Sequence, residues 1–485
     1  MNTKSNFLNS IKTAAFLLSL LGLAGSALAN TGNSIYTNIS GVDVNVPTFY
    51  ANSPIGYHGD GACFTKAGGV AVAAPAAANP ICNTGTALRK FVDQLPLPAL
   101  PGGLALPKAA DKSFIANPLA SNYIPVGVPS KWVNPMGVAT GDDYYEIAVV
   151  EYQQKMHMDL ANPTVLRGYV QIDPYTTDLN AGLSNGATQI KINGTPITTS
   201  VALKQIDGTT PILIPRPDAS VPSSTLALDS AHIRGADGVI YKLVQAYAVD
   251  KPQLLGPILT ASKGVPSRIK FINLLPAGHA TGALRNGDIG LPVDETLPGA
   301  GYGPDGKIKF SQNRAMIHLH GGDNPWISDG TPHQWITPAG EALPSAGGTL
   351  KTIADLSTAN NIDPTHYLKG WSAVNVPDMP DPGPGAMTYY YPNGESARLE
   401  WYHDHTFGLT RLNVYEGMAS AYFLSDSADG LAAYEGVSIP AEQIPLVIED
   451  KTFVPKDIAT EDARWDATLW GGESSLWYPH VYETN

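Results

Sequence analysis

Short runs in which apolar and polar residues alternate recur along this chain, each bounded by clusters of Gly, Pro, Asn or Asp. YYEIAVVEY (144–152), SRIKFIN (267–273), AMIHLH (315–320), ARLEWYH (397–403), SAYFLS (420–425) and IPLVIE (444–449) are the clearest. Side chains on a strand point alternately to opposite faces, so these runs predict short β-strands. Within RLEWYHDH, Leu399, Trp401, His403 and His405 share one parity, while Arg398, Glu400 and Asp404 hold the other. That predicts a strand whose apolar face turns to histidine towards its end. Long amphipathic patterns are scarce, and 48 Gly with 40 Pro suit a turn-rich architecture without reaching the level of low-complexity sequence. The pattern predicts an all-β Greek-key sandwich and does not separate a cupredoxin from an immunoglobulin-like one.

Candidate chemistry sits on two of these strands. MIHLHGG carries His318 and His320, and WYHDHTFG carries His403 and His405. Histidines two apart on a strand share a face about 7 Å apart. Two such strands side by side would converge four imidazoles. One H-x-H alone reads equally well as a hydrogen-bonded core or surface feature. Two, among only eleven histidines, point to a metal. Imidazole nitrogen suits copper, and also zinc, iron and nickel.

Around these pairs the sequence resembles the multicopper oxidases, in particular the bacterial spore-coat laccase and bilirubin oxidase branch. The resemblance runs through LRKFVDQLPLP (Leu88 to Pro98), YYEIAVVEYQQKMHMDL (Tyr144 to Leu160) and GVPSRIKFINLLP (Gly264 to Pro276). It continues through MIHLHGGDNPWISDG and the stretch from Tyr389 to Leu424, and fades after IPLVIEDKTF (Ile444 to Phe453). By this resemblance His318 is a type-2 copper ligand, and His320, His403 and His405 are type-3 ligands of a trinuclear cluster. Asp329, in ISDG, matches an acid that helps move protons during oxygen reduction; on its own it reads as a turn residue before Gly330.

The resemblance also defines what to expect of the chain as a whole. A complete relative draws further ligands, and the type-1 blue copper, from a C-terminal cupredoxin domain carrying an H-C-H segment. Neither Cys63 nor Cys82 has a histidine neighbour, so no blue copper site is expected in this chain. The expected fold is a cupredoxin-like Greek-key β-sandwich over residues 88–430, with a β-rich insertion at about 173–250 and an incomplete second cupredoxin domain from 431 to 485. The insertion lies between Gly168-Tyr169 and Leu255-Gly256-Pro257-Ile258, which relatives join almost directly. Completion by a missing C-terminal cupredoxin portion or a partner chain is expected. The reductant would be a phenol, a pigment or a metal ion, with O₂ as acceptor. The alternative is an exported protein that binds or sequesters copper without turnover.

Residues 1–29 read as a secretory signal: Lys4 and Lys12, an apolar run from about Ala14 to Leu23, then Ala27-Leu28-Ala29. The run is too short for a membrane span, so a periplasmic or extracellular protein is expected. Residues 30–87 form an extension with little strand patterning. In an oxidising compartment Cys63 and Cys82 would pair across an Ala/Gly-rich loop. The formal charge of −13 argues against nucleic acid or an anionic membrane as partner. His58, His157, His232, His279, His333, His366 and His480 lack partners at ligand spacing.

Overall fold

The computed structural model describes residue 88 and residues 93–104, 122–183, 188–277, 287–303, 309–341, 367–426, 445–456 and 458–477. The signal and extension expected at 1–87, Cys63 and Cys82, and His58, His279, His366 and His480 lie outside the described residues. No helix among the described residues is long and apolar enough to cross a membrane.

The chain divides into two compact units, one built from residues 94–154 and 164–448 and a second that includes 155–163 and 449–485. In chain order the larger unit contains β1 (Ser130–Val133), β2 (Ala139–Gln154), β3 (Thr164–Gln171), helix α1 (Pro174–Ala181), β4 (Leu213–Pro217), β5 (His232–Arg234) and β6 (Ile240–Gln245). Then follow β7 (Leu255–Ser262), β8 (Ser267–Asn273), β9 (His318–His320), β10 (Ala386–Tyr391), β11 (Arg398–His403), helix α2 (Thr410–Tyr415) and β12 (Ala419–Ser425).

Two sheets form the body. One has the order β10-β8-β2-β1, with β3 also paired to β2; the other has the order β7-β12-β11-β9. Each contains one parallel pairing between strands distant in sequence, β8 with β2 and β7 with β12, among antiparallel neighbours. Such crossed connections make this a Greek-key sandwich rather than a meander, and the expected all-β, cupredoxin-like fold holds. The inner faces share one core: Ile147 and Val149 of β2, Phe271 of β8, Met387 and Tyr389 of β10, Leu259 of β7, Leu319 of β9, Tyr402 of β11 and Tyr422 of β12.

The core is rich in tyrosine, and a buried hydroxyl needs a partner. Tyr145 donates to the Thr260 carbonyl at 2.9 Å, and Tyr422 to Asn393 Oδ1 at 2.6 Å. Tyr169 donates to the Met316 carbonyl at 3.2 Å, and the Tyr389 hydroxyl accepts from the Ile317 amide at 3.4 Å. Two core tyrosines therefore grip the backbone that leads into His318.

Residues 174–248 carry one short helix and several short strands. Asp173 caps α1, accepting from the Thr176 amide, and Gly182 ends it in the left-handed region at φ 71°. Strands β5, β6 and β4 form a separate antiparallel sheet. Arg216 of β4 fastens it to the body, with Nη2 2.8 Å from Glu146 Oε2 on β2 and Nε 3.1 Å from Asp178 Oδ1 on α1. All three side chains are buried.

Two strand expectations are corrected. IPLVIE forms no strand: Leu446 and Ile448 are exposed, with no ladder to join among the described residues. Among the described residues of the smaller unit, only Thr452–Phe453 pairs, with Leu476–Trp477. The apolar parity of β11 also faces the opposite way from a core face. Leu399 and Trp401 are 46% and 39% exposed, while Glu400 and Tyr402 point inward. The histidine face of this sheet is its outer face.

Candidate metal centre

The register of β9 against β11 builds the site. His318 lies opposite His403, and His320 opposite Trp401. Because alternate side chains share a face, His318, His320, Trp401 and His403 all stand on the outer side. His405 follows just past the end of β11. Ring centroids of His318 lie 5.5 Å from His320, 5.4 Å from His403 and 4.9 Å from His405, and those of His403 and His405 are 5.7 Å apart. The structure thus brings together all four predicted histidines. One ring nitrogen from each of His318, His320 and His403 lies within 4.8 Å of the others.

Hydrogen bonds set which nitrogen faces the centre. His318 Nδ1 lies 2.5 Å from the Asp329 carbonyl, and His403 Nδ1 2.7 Å from the Asp404 carbonyl. A carbonyl only accepts, so each Nδ1 carries the proton and each Nε2 presents a lone pair. His403 Nε2 faces His320 Nδ1 at 3.2 Å, an approach that a proton or a shared metal satisfies. Burial pushes the His403 imidazole down to about 4 and lowers His318 as well. Desolvation disfavours the cation, so both rings are neutral, ligand-ready bases at neutral pH. His405 Nδ1 is buried and has no hydrogen-bond partner among the described residues.

Asp329 reaches the site through its backbone as well as its carboxylate. Its carbonyl orients His318, and its Oδ2 lies 3.9 Å from the same Nδ1. Gly330 makes that approach possible. It sits at φ +72°, and a Cβ there would fall 2.2 Å from the Ile317 carbonyl oxygen and 2.8 Å from His318 Cα. Parity reasoning placed Trp401 on the histidine face without a role. It stacks on His403 at 4.1 Å and on His320 at 5.2 Å, walling one side of the cluster. The orienting carbonyls carry no sequence signal, since every residue supplies one.

The other described histidines stay outside the cluster. His157 Nε2 is 3.4 Å from Asp93, His232 lies between Asp218 and Asp229, and His333 packs on the Phe407 ring.

No family model matches the chain. A laccase of Bacillus stratosphericus is 30% identical over 204 residues, 41% of this chain and 28% of the laccase. A laccase of Bacillus subtilis (strain 168) is 26% identical over 202 residues, with the same coverage of 41% and 28%. A bilirubin oxidase of Albifimbria verrucaria is 35% identical over 107 residues, 21% of this chain and 17% of that protein. Over these stretches the chain is similar to multicopper oxidases. It spans under a third of the length of the curated relatives it matches. The McoA multicopper oxidase of Aquifex aeolicus aligns over 73% of this chain and 38% of its own, at 14% identity and a TM-score of 0.27. That score is too low to bear on the fold, which rests on the strand order above.

Similarity to multicopper oxidases points to copper, and the residues fit it. Imidazole nitrogens are copper donors; here two present defined Nε2 lone pairs, and a third ring has a buried nitrogen without a partner.

Proposed function

We propose that this chain contributes His318, His320, His403 and His405 to the oxygen-reducing copper centre of an exported oxidase, with His318 as the type-2 ligand and the others as type-3 ligands. Copper held by these residues would supply one-electron redox chemistry, by which four electrons drawn from phenols, pigments or low-valent metal ions, with four protons from solvent, would convert O₂ to two waters. The observation that carries this reading is the convergence of the four imidazoles, with the His318 and His403 tautomers fixed by carbonyls.

The protein's own residues have separate tasks in this scheme. Asp329 holds His318 through its carbonyl, and its half-exposed carboxylate stands where protons from solvent could be passed inward. Trp401 shields His403 and His320 from water on one side. The remaining donors, and the substrate-side copper, would come from a further cupredoxin portion, in the same polypeptide or in another chain. The relatives' greater length supports that division.

A second reading, copper binding without turnover, draws on the same four histidines gathered on and just past two paired strands of one unit. The two are separated by loading the 485-residue chain with Cu(II) and recording EPR spectra, visible absorption and oxygen uptake with a phenolic dye. Nitrogen-ligated Cu(II) without intense blue absorption or oxygen uptake is expected, with both gained when a relative's C-terminal cupredoxin domain is supplied. Copper binding that never supports oxygen uptake would favour the second reading. No histidine-bound copper at all would refute both.

A further inference from the structure

Between the two histidines of the second pair stands Asp404, whose side chain points away from them into the core and is fully buried. A buried carboxylate is costly unless its lone pairs are filled. Four donors fill them. Oδ1 accepts from the Met316 amide at 3.1 Å and the Thr406 hydroxyl at 2.7 Å; Oδ2 accepts from the Thr406 amide at 3.0 Å and Asn413 Nδ2 at 2.9 Å. Each oxygen thus receives one backbone donor and one side-chain donor.

These donors come from three places. Met316 lies two residues before His318, Thr406 directly follows His405, and Asn413 belongs to α2. The β9–β11 ladder couples His318 and His320 to His403, but it stops there. His405 lies beyond the last ladder residue, and among the described residues its Nδ1 has no hydrogen-bond partner to orient it. The Asp404 carboxylate joins the backbone around His405 to the approach of His318.

We propose that Asp404 is a positioning residue that sets the His318–His405 spacing, and through it the copper affinity of the four-histidine set. The proposal rests on the copper reading above. It explains why an acid occupies the inward position between two ligands: a neutral isostere cannot replace it. An Asn at 404 would have to turn its NH₂ towards either the Met316 or the Thr406 backbone amide. Neither can become an acceptor, so one buried N–H would lose its partner.

The test uses the full 485-residue chain, with Cu(II) affinity measured by chelator competition and the bound metal read by EPR. Asp404→Asn should loosen copper about 10-fold or more and change the hyperfine pattern, because the ring geometry itself shifts. Thr406→Val, which deletes one side-chain donor and keeps the shape, should do the same to a lesser degree and covers the case in which Asp404→Asn does not fold. Thr406→Ser, which restores the hydroxyl, should bind as the wild type does. If Asp404→Asn and Thr406→Val lower the melting temperature but keep wild-type copper affinity and spectrum, Asp404 only stabilises the fold and the proposal is overturned. If the wild type itself shows no histidine-bound copper, the copper reading fails first, and the positioning role falls with it.

Discussion

Replacing Gly330 by alanine tests whether the turn after Asp329 sets the metal centre. Gly330 adopts φ +72°, which costs an L-residue about 1–2 kcal/mol. The new Cβ would also meet the Ile317 carbonyl oxygen at 2.2 Å and His318 Cα at 2.8 Å. Both are backbone atoms of the strand lead-in that Tyr169 and Tyr389 hold, so neither can yield as a flexible side-chain end would. Forced displacement in a packed site costs about 1–3 kcal/mol more. Together these give a loss of roughly 2–5 kcal/mol. The turn must swing away from His318, which separates the Asp329 carbonyl from Nδ1 and frees the ring to rotate. Loss of such an orienting partner lowers metal affinity about 10–100-fold. Urea unfolding of the metal-free protein, followed by near-UV circular dichroism, measures the first effect, and chelator competition for Cu(II) measures the second. A Gly330→Ala protein within about 0.5 kcal/mol of wild type, binding copper equally well, would show that the turn does not position His318.

Three further outcomes are expected. Arg216→Met leaves Glu146 and Asp178 buried without their shared cation and should cost about 3–5 kcal/mol, partly recovered by adding Glu146→Gln; equal urea midpoints for Arg216→Met and wild type would contradict the buried-latch account. The metal-free protein should lose stability as pH falls from about 6.5 towards 4, because the unfolded His403 takes up a proton that the folded one, held down to about 4 by burial, refuses. His403→Gln should flatten that part of the curve by on the order of 3 kcal/mol, and an unchanged slope would count against it. Mass analysis of the exported, unreduced protein should find Cys63 joined to Cys82; two freely alkylated thiols would refute the pairing.

The strands were legible where alternation coincided with pairing. YYEIAVVEY and SRIKFIN lie side by side in register, Ile147 against Phe271. The site residues were legible because spacing on a strand fixes which side chains share a face, and His318 does meet His403. Burial was less so. Alternation separates Trp401 from Glu400 without saying which faces the core, and the apolar set lies outside. Glu400 is buried instead, and burial raises its carboxyl to about 7. IPLVIE failed for a related reason: an apolar run becomes a strand only where another strand offers its ladder, and Ile448 is 95% exposed. The features that turn four histidines into a defined donor set were invisible in the sequence, since they are carbonyls of Asp329 and Asp404 brought close by the fold.

The chain enters and leaves the β-rich segment 174–246 at one spot. Asp173 N–H donates to the Tyr247 carbonyl and Val249 N–H to the Gln171 carbonyl, each at 2.8 Å, so the two ends are stitched together at its base. A loop whose ends already touch can change length at little entropic expense, because closure cost grows only with the logarithm of its size. The histidines stand on the other sheet of the sandwich. Residues 174–246 are therefore a permissive graft point: a reporter or a binding module could replace them on a short turn while the copper ligands keep their register. The latch from Arg216 to Glu146 and the packing of Ile190 against Val128 are connections that such a graft has to rebuild or remove.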